Sequence, residues 1–217
     1  LHANAKAENY AITVVNGTFT IKDGLAAPAP ATYTPKSLTA TVVKWTPVTG
    51  AESYIVKVTG VQECTSTGTS CTVPALLGPK ADVKVTAVAS NGAVQSTQAP
   101  ATYTPGTTPI IIETVYFDEM KYNIDAADKA ELLNAVNAIR AQGFTNVYIE
   151  GYTDGQGGAK NAINLGNQRA KASAAFLSKY VKVTVTSKSL GNLDPAASNA
   201  TEAGRALNRR AVVYVIP

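Results

Sequence analysis

The sequence predicts a multidomain protein in which an all-β sandwich is followed by an α+β domain. Three observations lead to this prediction. Up to about residue 105, apolar residues alternate in short Val-, Thr- and Ala-rich runs separated by turn signals, without helical periodicity. After residue 109, strand-like runs alternate with segments whose apolar residues recur at helical spacing. The change coincides with Pro105-Gly106-Thr107-Thr108-Pro109, which has the composition of a linker.

Composition limits the classes of function that the chain can serve. Its 217 residues are 45% hydrophobic and 16% charged, which is globular and long enough for one large or two small domains. The net charge of +4 includes no basic run interleaved with aromatic residues, so nucleic acid is not an expected partner. The sequence also lacks an apolar stretch of membrane-spanning length and a secretory-signal pattern, so we expect no transmembrane segment and no export signal in this chain.

The N-terminal 27 residues contain two strand-like runs joined at Asn16-Gly17, a strong hairpin dipeptide. An isolated hairpin is marginally stable in water, and its free edges need pairing partners. Residues 1–27 resemble the closing hairpin of bacterial immunoglobulin-like adhesin modules. We therefore expect a partial β module here, and upstream domains in a longer protein.

A heptapeptide, Ala-Pro-Ala-Thr-Tyr-Thr-Pro, occurs at residues 29–35 and again at residues 99–105, a spacing of 99 − 29 = 70 residues. Repetition at such a spacing indicates tandem modules. We place linkers at residues 28–35 and 102–109, on either side of a β-sandwich that covers about residues 36–101.

The only two cysteines, Cys64 and Cys71, flank an expected tight hairpin. A disulfide is favoured over two free thiols, which indicates an oxidising, extracytoplasmic setting. A metal site is not expected, because the single histidine, His2, and two thiols are too few to complete a ligand set. No cofactor is expected either.

Residues 44–56 place Trp45 on the expected second strand of the sandwich and Tyr54 on the third. This arrangement resembles the fibronectin type III pattern over about residues 36–101. The resemblance makes both aromatic residues part of the core, and an aromatic binding platform is the alternative. The chain departs from the pattern near Asp82-Val83, where a Tyr usually begins the corner that pins the two sheets.

The second domain, residues 110–217, has the predicted order βαβαββ. In the first helix, Leu132, Val136 and Ile139 lie on one stripe, Asp125 is a natural N-cap, and Gly143 stops the helix. The expected strands are 110–117, 145–152, 181–186 and 211–215, and the expected helices are 125–142 and about 164–179.

Four motifs of this domain recur in one known family in the same order and with the same spacings. They are Val115-Tyr116-Phe117-Asp118, Glu150-Gly151-Tyr152-Thr153-Asp154 with Gly157, Leu165 with Arg169-Ala170, and residues 201–211. Together they resemble the C-terminal domain of the OmpA family, which includes the peptidoglycan-associated lipoproteins and the wall-binding part of flagellar stators. The resemblance implies a mixed sheet with helices on one face.

The resemblance also implies non-covalent binding of the peptidoglycan stem peptide, mainly the end of a diaminopimelate residue that bears an ammonium and a carboxylate. Asp154 would accept the ammonium, and Arg169, 169 − 154 = 15 residues later, would hold the carboxylate through two parallel hydrogen bonds. A plain surface ion pair is the alternative for these two residues. The other implied ligand residues are Phe117, Asp118, Thr153, Leu165 and Arg209.

Several of these positions have a structural alternative, and two others depart from the family. Core packing is the alternative for Phe117 and Leu165, and one of Arg209 and Arg210 is expected to make a structural ion pair. Ala162 stands where the family has Asn, and Gly166 where it has Ser. We therefore expect Asn161 to supply the lost polar contact and Asn164 to cap the second helix.

The expected function is to anchor a larger modular envelope protein to the cell wall at the periplasmic face of the outer membrane. An enzyme is not expected, because the second domain lacks histidine and cysteine and has no Ser or Thr beside an evident base. The enzyme alternative is a wall-remodelling hydrolase that uses Asp118 and Asp154 on a glycoside. A third alternative is a structural or adhesive module that keeps the fold without wall binding.

Overall fold

A computed structural model of the chain describes residues 10–15, 18–90 and 95–217, with side chains from residue 24 onward. The chain divides into two compact units, Leu1–Gly106 and Thr107–Pro217. None of the helices in the described part of the chain is long and apolar enough to cross a bilayer.

The first unit begins with an antiparallel hairpin of strands β1 (Tyr10–Val15) and β2 (Thr18–Asp23). Their register runs from the pair Tyr10 and Asp23 to the pair Val15 and Thr18. The predicted turn dipeptide Asn16-Gly17 lies outside the described residues, as do residues 1–9.

The rest of the first unit is all β, and its strand order is β6-β5-β8-β9-β3-β4-β7. Strand β9 pairs with β8 through Ala99 and Pro100 and with β3 through residues 101–103, so it joins the two halves of the sheet. Inward-facing side chains from both halves form one hydrophobic core. The strands are β3 (Ala31–Ser37), β4 (Ala40–Lys44), β5 (Ser53–Val58), β6 (Cys64–Ser66), β7 (Ser70–Val73), β8 (Val83–Val88) and β9 (Ala99–Tyr103).

The two heptapeptide copies bracket one module and pair with each other, so the repeat does not mark tandem modules. Ala31, Thr32 and Tyr33 lie beside the identical Ala101, Thr102 and Tyr103 in a parallel pair. The Tyr33 and Tyr103 rings meet edge to face at 5.6 Å. Most of the segment predicted as a linker, 28–35, is therefore strand, as are residues 102 and 103.

Three side-chain features fix the core of the first unit. Trp45 and Tyr54 are buried with their ring centroids 5.1 Å apart, which confirms their core role. The disulfide between Cys64 and Cys71 joins β6 to β7, as predicted. The segment before β8 is held by a residue of another strand: the buried Tyr33 hydroxyl donates to the carbonyls of Gly78 at 3.0 Å and Ala81 at 3.2 Å.

The second unit contains a four-stranded mixed sheet in the order β10-β13-β11-β12. Strand β13 is antiparallel to both neighbours, and β11 is parallel to β12. Helix α1 packs on β10 and on α2, and α2 packs on β11 and β12, so both cover the same face. The elements are β10 (Ile110–Tyr116), α1 (Ala126–Gln142), β11 (Asn146–Tyr152), α2 (Ala159–Leu177), β12 (Thr184–Gly191), α3 (Glu202–Asn208) and β13 (Arg210–Val215).

Helix α1 has the predicted boundaries because its caps are visible in the sequence. The Asp125 side chain accepts a hydrogen bond from the backbone N–H of Asp128, and the Asp128 side chain accepts one from the backbone N–H of Asp125. This reciprocal pair is a capping box. Gly143 ends the helix in the left-handed conformation, at a φ of 74°.

The predictions for α2, β12 and α3 were less accurate. Helix α2 begins at Ala159, five residues earlier than predicted, because its N-cap is Gly158, which has no side chain to signal the start. Asn164 therefore lies inside the helix and does not cap it. The strand predicted at 181–186 is Thr184–Gly191, since Val181 still belongs to the turn that closes α2. Helix α3 was not predicted.

Candidate functional site

The four motifs that carry the family resemblance meet at one edge of the second unit's sheet. Strands β10 and β11 run in the same direction, because each pairs antiparallel with β13, which lies between them. Their C-terminal ends therefore share an edge with the beginning of β13, where Tyr116 pairs with Arg210 and Gly151 with Ala211. Topology thus places Phe117, Asp154 and Arg209 together.

Asp154 and Arg209 form a buried ion pair at this edge. Arg209 Nη1 lies 3.2 Å from Asp154 Oδ2, and the two residues are 6% and 8% exposed respectively. Arg209 Nη2 reaches the more exposed Glu202 carboxylate at 2.7 Å, and its Nε donates to the Phe117 carbonyl at 3.2 Å. Burial works against the charge, yet the hydrogen bonds that Arg209 donates to the Glu202 and Asp154 carboxylates raise the pKa of Arg209. Arg209 is thus the member of the Arg209-Arg210 pair that makes the predicted ion pair.

Arg169, on α2, has no exposed surface. The sequence predicted instead a guanidinium that is open to a ligand carboxylate. Its Nε donates to the Lys121 carbonyl at 2.9 Å, its Nη1 to the Tyr152 carbonyl at 2.8 Å, and its Nη2 to the Asp118 carbonyl at 3.1 Å. Burial lowers the pKa of Arg169 to about 10, although the Asp154 carboxylate counteracts this. Arg169 is therefore charged at neutral pH and shares the negative charge of Asp154 with Arg209.

The turn that follows β10 covers the Arg169 guanidinium. Its Asp118 carboxylate and Lys121 ammonium form an exposed ion pair at 2.8 Å, and this pairing lowers the pKa of Asp118. Met120, between them, has a left-handed φ of 55°, a conformation that few non-glycine residues adopt. Because Arg169 binds the carbonyls of residues 118 and 121, it holds this turn in place.

The loop after β11 directs Thr153 and Asp154 toward this cluster. Thr153 Oγ1 accepts from the Gly155 N–H at 3.2 Å, and Asp154 Oδ1 accepts from the Gln156 N–H at 3.2 Å. Thr153 is 3% exposed. These local hydrogen bonds orient both side chains before any ligand arrives.

Two predicted site residues on α2 do not join this cluster. The exposed Asn161 donates to the Gly157 carbonyl at 2.8 Å, within its own helical turn. Leu165 is half-buried. Ala162, where the family has Asn, is 1% exposed and faces the interior.

Close packing explains why position 166 is a glycine, which the comparison of motifs could not reveal. A Cβ atom on Gly166 would lie 2.2 Å from Ser189 Oγ and 2.8 Å from the Gly151 carbonyl oxygen. A Cβ on Gly151 would lie 1.9 Å from the Gly166 carbonyl oxygen. Two glycines therefore allow α2 to lie directly against β11, which brings Arg169 close to the Tyr152 carbonyl.

Glu202, the carboxylate that binds Arg209 from α3, was not predicted. Helix α3 is seven residues long, too short for an apolar stripe to reveal it. Its sequence signal is the N-cap, since Thr201 Oγ1 accepts from the Gly204 N–H at 3.1 Å and Glu202 follows as an acid in the first turn. Hydrogen bonds from Arg209 lower the pKa of Glu202.

The cluster is suited to binding charged groups. Arg209 bridges the Asp154 and Glu202 carboxylates, and the Arg169 guanidinium donates to the Asp118 backbone carbonyl. Over residues 24–90 and 95–217, whose side chains the structure describes, no three His, Cys, Asp or Glu side chains are grouped closely enough to hold a metal ion.

Comparison with known proteins agrees with the motif positions. The model of the OmpA family matches residues 116–209. The peptidoglycan-associated lipoprotein of Pasteurella multocida (strain Pm70) is 40% identical over 103 residues, which cover 46% of this chain and 68% of that protein. The peptidoglycan-binding protein ArfA of Mycobacterium tuberculosis (strain ATCC 25618 / H37Rv) is 40% identical over 88 residues, 39% of this chain and 27% of that protein.

Among solved structures, the peptidoglycan-associated lipoprotein from Burkholderia pseudomallei is similar over 48% of this chain and 90% of that one, with 31% identity and a TM-score of 0.44. The sequence match to the Pasteurella protein covers more than two thirds of that protein, and the residues that the family model matches lie in the second unit. Through residues 116–209, the chain belongs to the OmpA family.

Proposed function

We propose that the second unit binds peptidoglycan at the edge formed by the ends of β10 and β11 and the start of β13. One observation carries the proposal: motifs that are far apart in sequence meet there around the buried Asp154, which lies against Arg209. Relatives named for association with peptidoglycan and for binding it support the same function. The ligand is the stem peptide, recognised through its diaminopimelate residue.

The ammonium of diaminopimelate binds between Asp154 and the Asp118 carboxylate, which is 72% exposed and pairs with the exposed Lys121 ammonium at 2.8 Å. An ammonium that enters from solvent meets Asp118 first and then shares Asp154 with Arg209. Charge-assisted hydrogen bonds of this kind contribute about 1.5–3 kcal/mol each.

The carboxylate of diaminopimelate binds Arg169. Three of the five N–H donors of a guanidinium are committed here to carbonyls, so a ligand reaches the others only when the 118–121 turn moves. Phe117, Thr153 and Arg209 belong to the same edge, and we propose that Asn161 and Leu165 on α2, which do not join the cluster, contact the more distant part of the ligand.

A retention assay on purified sacculi of the diaminopimelate type tests the proposal. Asp154→Asn keeps the shape of the side chain and removes its charge, so we expect retention to fall at least about ten-fold, with release of the wild type by free diaminopimelate. Asp82→Asn removes an exposed carboxylate from the first unit and should be retained like the wild type.

Equal retention of Asp154→Asn and wild type, with both folded by thermal melting, would remove the proposal. It would favour the alternative of a structural or adhesive module. Release of soluble wall fragments during the incubation would instead favour a hydrolase.

We infer that the protein anchors a larger envelope protein to the wall from the periplasmic face of the outer membrane. The first unit is a fibronectin type III-like spacer, which its strand order and the core positions of Trp45 and Tyr54 support. The hairpin of β1 and β2 is the tail of an upstream adhesin-like module. Reversible contacts of modest strength suit this role, since many copies along one polymer add avidity.

A further inference from the structure

A cavity of the OmpA-like unit lies on the sheet face that points away from α1 and α2, and the wall-binding proposal does not use it. It has a volume of about 430 Å³, within the range of roughly 300–1,000 Å³ typical of small-ligand sites. The residues that line it alternate along the strands with the core residues Val115, Ile149 and Val213, which face the helices. The main lining residues are Thr114, Tyr116, Glu150, Arg210, Val212 and Tyr214.

Arg210 is the unusual member of this lining. It is 8% exposed, and its guanidinium carbon lies 3.9 Å from the centroid of the Tyr152 ring. Its Nη2 donates to the Asp194 carbonyl at 3.0 Å, whereas its Nη1 is buried and has no hydrogen-bond partner among the described residues. A buried cationic donor without an acceptor is costly and rare, so it points to an acceptor that comes from outside the chain.

The Glu150 carboxylate, which lines the same cavity, already has hydrogen-bond donors. Glu150 accepts from the Tyr152 hydroxyl at 2.6 Å and the Tyr214 hydroxyl at 2.9 Å, and it pairs with Lys188 at 3.0 Å. Burial opposes its ionisation, but these three donors together lower the pKa of Glu150, which stays ionised at neutral pH. Arg210, by contrast, lies within ion-pair distance of no carboxylate in the described part of the chain.

We propose that this cavity binds a monocarboxylate with an apolar or aromatic body, the carboxylate lying against Arg210. The edge of a guanidinium stacked on an aromatic ring offers two parallel N–H groups, which match the geometry of a carboxylate. Val212 and the exposed side chains of Ile111 (53%) and Tyr116 (46%) offer an apolar wall for the rest of the ligand.

Charge distinguishes this ligand from a phosphate. The positive groups Arg210 and Lys188 are balanced by the negative groups Glu150 and Asp194, so a dianion meets two carboxylates that repel it. A monoanion is still attracted to the Arg210 guanidinium, and the two carboxylates repel it half as strongly. The same chemistry belongs to a peptide C-terminus and to a small organic acid.

Titration of the ¹⁵N-labelled full chain, followed by NMR, tests the site. The probes are Gly-Gly-Phe with a free C-terminus, the same peptide with an amide C-terminus, 3-phenylpropionate and inorganic phosphate. We expect the free peptide or 3-phenylpropionate to shift the Arg210 Nε–H and the amides of Tyr116 and Val212, and the amidated peptide to bind at least about ten-fold more weakly. If the free peptide binds more tightly than 3-phenylpropionate, the natural ligand is a peptide C-terminus. If 3-phenylpropionate binds at least as tightly as the free peptide, the natural ligand is a small organic acid.

Variants separate this site from the wall-binding edge. Arg210→Gln should weaken the carboxylate probes about ten-fold. Tyr116→Ser, which changes an exposed side chain, should weaken them while the fold is kept, and Asp154→Asn should leave them unchanged. If Arg210→Gln does not fold, the amide probe and Tyr116→Ser decide.

The proposal is overturned if no probe shifts these signals. It is overturned equally if the amidated peptide or phosphate binds as well as the free carboxylate, or if folded Tyr116→Ser and Arg210→Gln proteins bind like the wild type.

Discussion

The two units bury different kinds of side chain. Among the residues of the first unit whose side chains are described, the buried polar ones are the uncharged Thr41, Thr86 and Ser96. In the second unit they include the ionisable Asp128, Asp154, Arg169, Arg209 and Arg210. All the buried charge in the described part of the chain thus belongs to the OmpA-like unit. Stability alone does not require this, because the first unit forms its core from Val, Tyr and Trp with neutral hydrogen bonds.

This difference in buried charge indicates which unit carries the ligand-binding residues that we propose. Burying an ion costs several kcal/mol unless hydrogen bonds and opposite charges compensate it, and apolar residues of similar size are often at least as stabilising. Arg169 and Arg209 are compensated at the edge where the motifs converge, and Arg210 is compensated in part on the opposite sheet face. We infer that the first unit serves as a spacer and that both proposed ligand sites belong to the second unit.

The largest expected effect is the loss of the Arg169 guanidinium. Arg169→Met keeps most of the side-chain volume but leaves the carbonyls of Asp118, Lys121 and Tyr152 without this donor and removes one positive neighbour of Asp154. We expect the free energy of unfolding of the second unit to fall by about 3–5 kcal/mol. Hydrogen exchange of the β11 and α2 amides measures the change.

A matched control and an independent probe sharpen this experiment. Lys171→Met alters an exposed residue of the same helix and should leave exchange unchanged. Trp45, the single Trp of the sequence, reports on the first unit alone, so its fluorescence transition should not move in Arg169→Met. A loss below about 1 kcal/mol would show that the buried guanidinium does not support the fold.

The second effect concerns the first unit only. Replacing Cys64 and Cys71 by Ser opens a short loop with a sequence separation of 7. We expect a loss of about 2–3 kcal/mol from the increased entropy of the unfolded chain, seen in the Trp45 transition in denaturant. Exchange of the β11 amides should be unchanged. A shift of both units together would contradict their independence, and the wild type under reducing conditions should reproduce the variant.

Sequence reasoning succeeded where the signal is local and failed where close packing decides. Caps defined α1, because Asp125 and Gly143 have the required side chain and backbone freedom. The start of α2 and the helix α3 were missed, since Gly158 offers no capping group and seven residues show no periodicity. The pairing of the two heptapeptides was missed because spacing in sequence does not reveal which strands are neighbours in space.

The site was predicted as a set of residues but not as an arrangement. Motifs identified Asp154, Arg169 and Arg209, and topology explains why they meet. They did not reveal that Arg169 is covered by the 118–121 turn, that Glu202 shares Arg209, or that Gly151 and Gly166 bring α2 onto the sheet. These facts depend on backbone carbonyls and close approaches, which a sequence of side chains does not encode directly.

The smallest expected effect is a pH-dependent one at Glu202. Hydrogen bonds from Arg209 lower the pKa of Glu202 below its ordinary value of 4.5, so the unfolded chain binds this proton more readily than the folded protein does. The stability that the pair contributes is complete above the unfolded value and disappears as the pH falls through the folded one. Glu202→Gln should therefore melt slightly below the wild type at pH 7, and the two should converge as the pH falls below the folded-state pKa of Glu202. Glu63→Gln, which breaks a surface pair with Lys57 in the first unit, should shift melting less at pH 7. If the melting temperatures of Glu202→Gln and the wild type still differ in acid, the Glu202 side chain acts through packing. The contrast between the charged interior of the second unit and the uncharged interior of the first would then not extend to this residue.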